Sequence, residues 1–381
     1  MRIAMVCPYF LPVIGGMENY IYSLSKELVK LRNKVVVFTC DRNRDNSEIK
    51  NKKEFIDGIE VRRIKTLFRL GPNTNFFPKL TSELRNFDVI NIHNYGHPHH
   101  FFSILAGKSY KTPVVLTGHA PNEVTKTRSK LNAFISSLRE FLFSKYLLRN
   151  SNKIISVMPS ETEWLVKQGA DRSRITFIPI GVDEIFFRKK LNKNFRKENH
   201  LEKNKIILSA GRIEKRKGYE FLVVSASLVV QKHPEAVFVV AGQDFGYKEE
   251  MVSKIKKLKL EKNFIFLGAV KPENMPDLYL SSDVFVMPSI HEGGPLTVPE
   301  AMACRIPVVS TRTGTVEYYL KNGELGNIVE YGNAEKLSEM IIKNIEKKDK
   351  IRIKKARLFS ESLVWKNLVY KYLEVYKWAL K

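Results

Sequence analysis

The residues best suited to chemistry fall in a few short stretches of the 381-residue chain. In Pro288-Ser289-Ile290-His291-Glu292-Gly293-Gly294-Pro295-Leu296-Thr297-Val298-Pro299-Glu300, two carboxylates stand eight positions apart around a Gly-Gly-Pro turn. Such a pair can act as an acid/base couple or accept hydrogen bonds from the hydroxyls of a sugar. In Gly211-Arg212-Ile213-Glu214-Lys215-Arg216-Lys217-Gly218, Arg212 and Lys217 bracket a turn. Two cations there would join backbone N–H groups around a phosphate, although an ordinary basic surface turn reads the same way. Gly15 and Gly16 follow the first apolar run, where a glycine pair either lets a ligand approach the backbone or simply makes a turn. His93 and His119 each close an apolar run, Asp88-Val89-Ile90-Asn91-Ile92-His93 and Val114-Val115-Leu116-Thr117-Gly118-His119.

These residues can cooperate only if the elements around them bring them to the edge of a sheet. Residues 2–7, 35–39, 89–92, 114–117, 154–157 and 175–178 read as buried strands, and 206–210, 237–241, 264–267, 284–287 and 307–310 form a second series. Between strands the apolar spacing turns helical, as in Ile21, Leu24, Leu28 and Leu31. Strand and helix alternate through both halves, which predicts an α/β protein whose ligands lie at the C-terminal ends of parallel strands. The motifs above sit at such ends. Gly15-Gly16 lacks the Gly-x-Gly-x-x-Gly spacing, so no nicotinamide or flavin site is expected. Thr297-Val298-Pro299-Glu300 also fits a capping box, with Thr297 as N-cap and Glu300 reaching back to an orphan N–H. That segment therefore has a purely structural reading as well.

With 44% hydrophobic and 27% charged residues, the chain is a folded protein long enough for two domains and not a disordered one. No apolar run approaches the ~20 residues of a membrane helix, and the N-terminal run is too short for a signal peptide. Three scattered cysteines, Cys7, Cys40 and Cys304, give neither a disulfide framework nor a zinc site and fit a reducing cytoplasm. The net charge of +24 attracts nucleic acid, anionic membranes and anionic substrates alike. No nucleic-acid module is recognisable, so no such partner is expected. His93, His97, His99 and His100 crowd one stretch, but Pro98 interrupts it and no Cys or carboxylate stands at ligand spacing, so no metal is expected.

Residues 126–149 set Leu131, Phe134, Ile135, Leu138, Phe141, Leu142 and Tyr146 against Lys126, Arg128, Lys130, Arg139, Lys145 and Arg149. This is either a helix packed on the sheet or one lying on an anionic membrane surface. Composition divides the chain into a domain at 1–185, a polar linker at 186–204 and a second domain at 205–355. The aromatic-rich residues 356–381 are expected to form a helix that packs back toward the first domain.

Taken in order, these pieces resemble the retaining glycosyltransferases of GT-B architecture, specifically glycosyltransferase family 4 (group 1). The resemblance runs nearly the full length. It takes in Pro12-x-x-Gly15-Gly16-Met17-Glu18, His119, Ile178-Pro179-Ile180-Gly181-Val182-Asp183, Gly211-Arg212…Lys217-Gly218, Tyr279…Ser282-Asp283 and Glu292…Glu300-Ala301-Met302-Ala303. Ile180 stands where the family usually has Asn, and Arg305 where Gly commonly precedes the Pro-Val-Val strand. The resemblance implies two Rossmann-like domains with a donor/acceptor cleft between them. The second would hold a nucleotide sugar (UDP- or GDP-linked), and the first a glycan or lipid-linked acceptor.

It further assigns Arg212 and Lys217 to the diphosphate, His119 and Glu292 to the transferred sugar, and Glu300 to the ribose. Gly15, Gly16, Leu296 and Thr297 would complete the donor site through their backbone. The leaving phosphate would take the acceptor proton, so neither a protein base, a metal nor any other cofactor is required. A lipid-linked acceptor would suit a cytoplasmic protein peripheral on the inner face of the membrane. Two other readings are carried beside this one, a nucleotide-sugar epimerase on the same fold and a basic protein binding nucleic acid or membrane surfaces.

Overall fold

The apolar runs become two parallel-rich sheets in the computed structural model, which describes residues 1–13, 15–69, 74–119, 145–188 and 190–381. One sheet belongs to each of two units, Met1–Gly181 joined by Trp365–Lys381, and Val182–Val364. The first unit contains β1 (Arg2–Val6), β2 (Lys34–Cys40), β3 (Lys53–Ile56), β4 (Ile59–Ile64), a small hairpin of β5 (Phe68–Arg69) and β6 (Asn75–Phe76), β7 (Val89–His93), β8 (Val114–Thr117), β9 (Lys153–Ser156) and β10 (Ile175–Phe177). Its eight-stranded sheet has the order β10-β9-β8-β7-β1-β2-β4-β3, parallel except between β3 and β4. The runs show no polar alternation because both faces are covered, and β7 and β8 are buried at every residue. The strand order reverses between β1 and β7, so the loops after those strands flank an opening at the sheet edge.

The helix Trp365–Ala379 completes this first unit. Its Tyr376 hydroxyl donates to Asn91 Oδ1 on β7 at 2.6 Å, and its Tyr372 hydroxyl meets that of Tyr20. Trp365 stands edge-on to the Tyr20 ring, 5.0 Å between centroids.

In the second unit, β11 (Lys205–Ala210), β12 (Ala236–Ala241), β13 (Phe264–Gly268), β14 (Val284–Met287), β15 (Val308–Thr311) and β16 (Asn327–Val329) form a parallel sheet in the order β13-β12-β11-β14-β15-β16. Successive strand residues point to opposite faces, and each face has its own core. Ile207, Phe238, Val284 and Val286 pack with Leu222, Val229, Leu337 and Ile341. Leu208, Val239, Phe285 and Met287 pack with Ala301, Met302, Tyr319 and Leu320. At about 1.5–3 kcal/mol for each buried aliphatic or aromatic side chain, these two layers hold the strand ends in place.

The structure places two stretches differently from the composition. The polar residues 186–204 belong to the second unit and are not a linker. Arg196 is the reason: its guanidinium donates to the Ser281 and Asn204 carbonyls, both at 2.7 Å, and to Asp283 at 2.6 Å. The 356–381 segment is two helices shared between units. Lys350–Glu361 stays with the second unit, where buried Arg357 donates to the carbonyls of Ala303 and Phe187. The chain crosses between units at Gly181–Val182 and again at Val364–Trp365. The basic amphipathic stripe of residues 126–149 lies mostly outside the described residues. Among those described, no helix is long and apolar enough to cross a membrane.

Candidate active site

In the second unit the two charged motifs leave adjacent strands. β11 and β14 pair at the point where strand order reverses, and their C-terminal loops carry Gly211–Gly218 and the Glu292 stretch. Gly218 has φ +66 and caps the helix Tyr219–Lys232; a Cβ on it would sit 2.0 Å from the Pro288 carbonyl oxygen. Only glycine lets the first loop close this tightly on the second. The Ile290 N–H then donates to the Arg216 carbonyl at 2.9 Å, and the Tyr219 hydroxyl to the Gly211 carbonyl at 2.9 Å.

This closure brings Lys217 Nζ to 2.5 Å from Glu292 Oε1, an oxygen that also accepts from Ser289 Oγ at 2.7 Å. The loop after β15 holds the backbone that carries this carboxylate. The Glu292 N–H donates to Thr313 Oγ1 at 2.8 Å, and Thr315 donates to the Gly293 carbonyl from both its N–H and its hydroxyl at 3.1 Å. Gly314 fits beneath with φ +53, where a Cβ would meet the Glu292 carbonyl oxygen at 2.1 Å. Arg212 is half exposed and lies 5.2 Å over the Phe245 ring. Its carboxylate partner Glu214, at 3.1 Å, is shared with Arg216 at 2.9 Å, so the turn keeps an excess of positive charge.

Glu300 stands on the helix Thr297–Ala303, and here the capping-box reading fails. The helix has Leu296 at its N-cap position and no side-chain cap, because Thr297 already lies inside the first turn. Thr297 Oγ1 faces the Met287 sulfur at 3.9 Å instead. Glu300 Oε2 accepts from the buried Tyr279 hydroxyl at 3.0 Å. Burial pushes the Glu300 carboxyl up to about 7; the Tyr279 hydrogen bond works against this and the Asp183 charge adds to it.

In the first unit, Gly15 precedes the helix Gly16–Lys30 at the end of the β1 loop. The buried Glu18 carboxylate lies against Gly15 and accepts from Arg44 at 2.6 Å. His119, just past β8, has Nε2 at 3.0 Å from His93 Nδ1 and stands edge-on to Tyr20 at 4.6 Å between centroids. Burial lowers its pKa to about 3, so the ring is neutral at any working pH. The neighbouring histidines are occupied locally. His99 and His100 turn Nε2 toward the His93 carbonyl at 3.5 and 3.4 Å, and His100 Nδ1 accepts from the His97 N–H at 3.1 Å.

The structure thus places Arg212, Lys217, Glu292 and Leu296 on strand-end loops of the second unit with Thr297 and Glu300 on the helix that follows, and Gly15, Gly16 and His119 at the strand-end loops and helix start of the first. It adds Thr313 and Tyr20, and gives partners to Ser289, Tyr279 and His93, which the sequence motifs contain without a stated role in donor binding. A signal existed for Thr313: Thr311-Arg312-Thr313-Gly314-Thr315 is a polar, glycine-bearing turn straight after a predicted strand. Tyr279 stood in the motif that carries the resemblance but without its Glu300 partner, and Tyr20 had no signal, since its partners are fixed by packing alone.

Two doubly wound α/β units, with charged and glycine-rich loops at their strand reversals, define the GT-B architecture. The solved structure of Anabaena HepE in complex with UDP superposes with a TM-score of 0.77 at 19% identity, over 98% of this chain and 99% of that one. The family model of glycosyltransferase family 4 matches residues 14–185, and that of the group 1 glycosyl transferases matches residues 191–360. The chain belongs to the group 1, family 4 glycosyltransferases. It is 24% identical over 330 residues to the GPI3 subunit of phosphatidylinositol N-acetylglucosaminyltransferase from Saccharomyces cerevisiae, spanning 84% of this chain and 70% of the relative. It is 26% identical over 346 residues to D-inositol 3-phosphate glycosyltransferase from Pseudarthrobacter chlorophenolicus, spanning 83% and 78%. Both relatives are transferases by name, and the epimerase reading is set aside.

Proposed function

We propose that this glycosyltransferase moves a sugar from a UDP- or GDP-sugar to a glycan or lipid-linked acceptor, with retention of anomeric configuration and without a metal. The observation that carries the reading is the joining of Lys217, Glu292 and Ser289 at the strand reversal, with Arg212 on the same turn as Lys217 and Glu300 on the helix that follows. Cations at the loop would offset the charge that develops as the nucleoside diphosphate leaves. Glu292 Oε1 already takes two donors, which suits a clamp on sugar hydroxyls better than a nucleophile. Glu300 would accept from the ribose, and the backbone of Leu296, Thr297 and the Gly15-Gly16 loop would add dipoles. His119 would contact the transferred sugar. The departing phosphate oxygen would accept the acceptor proton, so no protein base titrates in the rate. The UDP bound to HepE and the phosphatidylinositol in the yeast relative's name support the donor and acceptor classes. A lipid-linked acceptor in turn favours a cytoplasmic protein held at the inner face of the membrane through residues 126–149.

The test is turnover of a panel of UDP- and GDP-sugars by the full chain, with free and lipid-linked acceptors. Nucleotide release should require acceptor and survive chelation, and proton NMR of the product should show the donor's anomeric configuration. Arg212→Ala should lower kcat/KM by about 10²–10³-fold. Lack of turnover with every donor, or full activity in Arg212→Ala, would reject the proposal.

A further inference from the structure

His93 has no part in the chemistry above, yet the body of the first unit holds His119 through it. It is fully buried at the C-terminal end of β7. Its Nδ1 lies 3.0 Å from His119 Nε2, and its Nε2 lies 3.5 Å from the Met5 sulfur on β1. A thioether sulfur accepts weakly and never donates. A proton on His93 Nδ1 would therefore leave its Nε2 as a buried acceptor facing another acceptor, with nothing to satisfy it. With the proton on Nε2 both contacts are made: Nε2–H points at Met5, and Nδ1 is free to accept. His119 must then donate from Nε2, and a neutral imidazole with its proton there has a bare Nδ1. Burial keeps both rings neutral, so each carries a single ring proton and the assignment of one fixes the other. The plane of His119 is set by the edge of Tyr20, itself tied to the Tyr372 hydroxyl.

We propose that His93 is a positioning residue that locks His119 in the Nε2–H tautomer, so that His119 presents Nδ1 as an acceptor and selects a donor sugar with a hydroxyl at that point. The sugar-selecting half rests on the contact between His119 and the transferred sugar proposed above. A hydroxyl can donate into Nδ1, whereas a carboxylate or acyl oxygen brings a second acceptor and a deoxy position brings nothing. Donors of those kinds should lose on the order of 10- to 100-fold in kcat/KM against the hydroxyl-bearing sugar.

The test is long-range proton–nitrogen correlation NMR on the full chain labelled with ¹⁵N-histidine, which separates protonated from bare ring nitrogens. Signals missing in His119→Phe identify His119. The wild-type spectrum should show His119 protonated at Nε2 and bare at Nδ1. His93→Phe should give mixed tautomers and lower kcat/KM about tenfold or more. His93→Asn, whose Oδ1 can accept where Nδ1 did, should restore the tautomer and most of the rate. A protonated His119 Nδ1 in the wild type overturns the proposal, as does an unchanged tautomer or unchanged kcat/KM in His93→Phe. The spectra need no donor, so a protein that transfers no sugar would refute the proposed function while the tautomer is still decided.

Discussion

A carboxyl whose pKa is about 7 is half protonated at neutral pH, and Glu300 is such a group because it is covered and faces Asp183. In the unfolded chain a glutamate titrates near ~4.3, so the folded protein binds the extra proton between those values. Stability from this residue is therefore present at low pH and declines as pH rises through about 7. Donor binding should run the other way, since the ionised carboxylate is the better acceptor for a ribose diol. Titration calorimetry with UDP and GDP should show affinity weakening up to about tenfold between pH 8 and pH 6, and Glu300→Gln should flatten that dependence. The residues themselves were legible in the sequence, but their partners were not. Glu300 suggested a reach back to the helix start, and a tyrosine 21 positions earlier claimed its oxygen instead. No local pattern announces a partner that distant.

Among the elements, the loops after β11 and β14 are tied together by the Ile290–Arg216 backbone bond and by an ion pair across 75 positions, Lys217 to Glu292. Both side chains are largely buried, so removing the cation leaves a charge that keeps, among the described residues, the hydrogen bond from Ser289. Lys217→Ala should cost roughly 3 kcal/mol, read from urea unfolding, because an uncompensated buried carboxylate is worth that much. A surface pair would cost under about 1 kcal/mol, and a loss that small would mean the two loops are not joined this way. The elements were the most legible level. Continuous apolar runs such as Val284–Met287 could only be strands covered on both faces, and glycines with charges marked where they ended. Residues 186–204 were misread because polar composition is common to linkers and to segments whose side chains cap a neighbour's carbonyls, as Arg196 does.

At the scale of the whole molecule, 64 basic against 40 acidic residues give a field that attracts anionic donors and anionic surfaces alike. If residues 126–149 bring the protein to a membrane, sedimentation with phosphatidylglycerol vesicles should exceed that with phosphatidylcholine. It should fall steeply between 50 and 300 mM salt, where the screening length shrinks below about 10 Å. Indifference to lipid charge would remove the membrane from the proposal. The two-part organisation was legible from the repeated strand-helix alternation, but the crossing points were not, since Gly181–Val182 and Val364–Trp365 lie in no compositional break. The second crossing has a consequence for how the protein is made. Residues 182–364 leave the ribosome as one uninterrupted piece and have every strand of their sheet in hand. The earlier unit must wait, with the Tyr20 hydroxyl and the Asn91 amide oxygen lacking the tyrosines of Trp365–Ala379 until those are synthesised. The unit that translation begins first is the one it completes last.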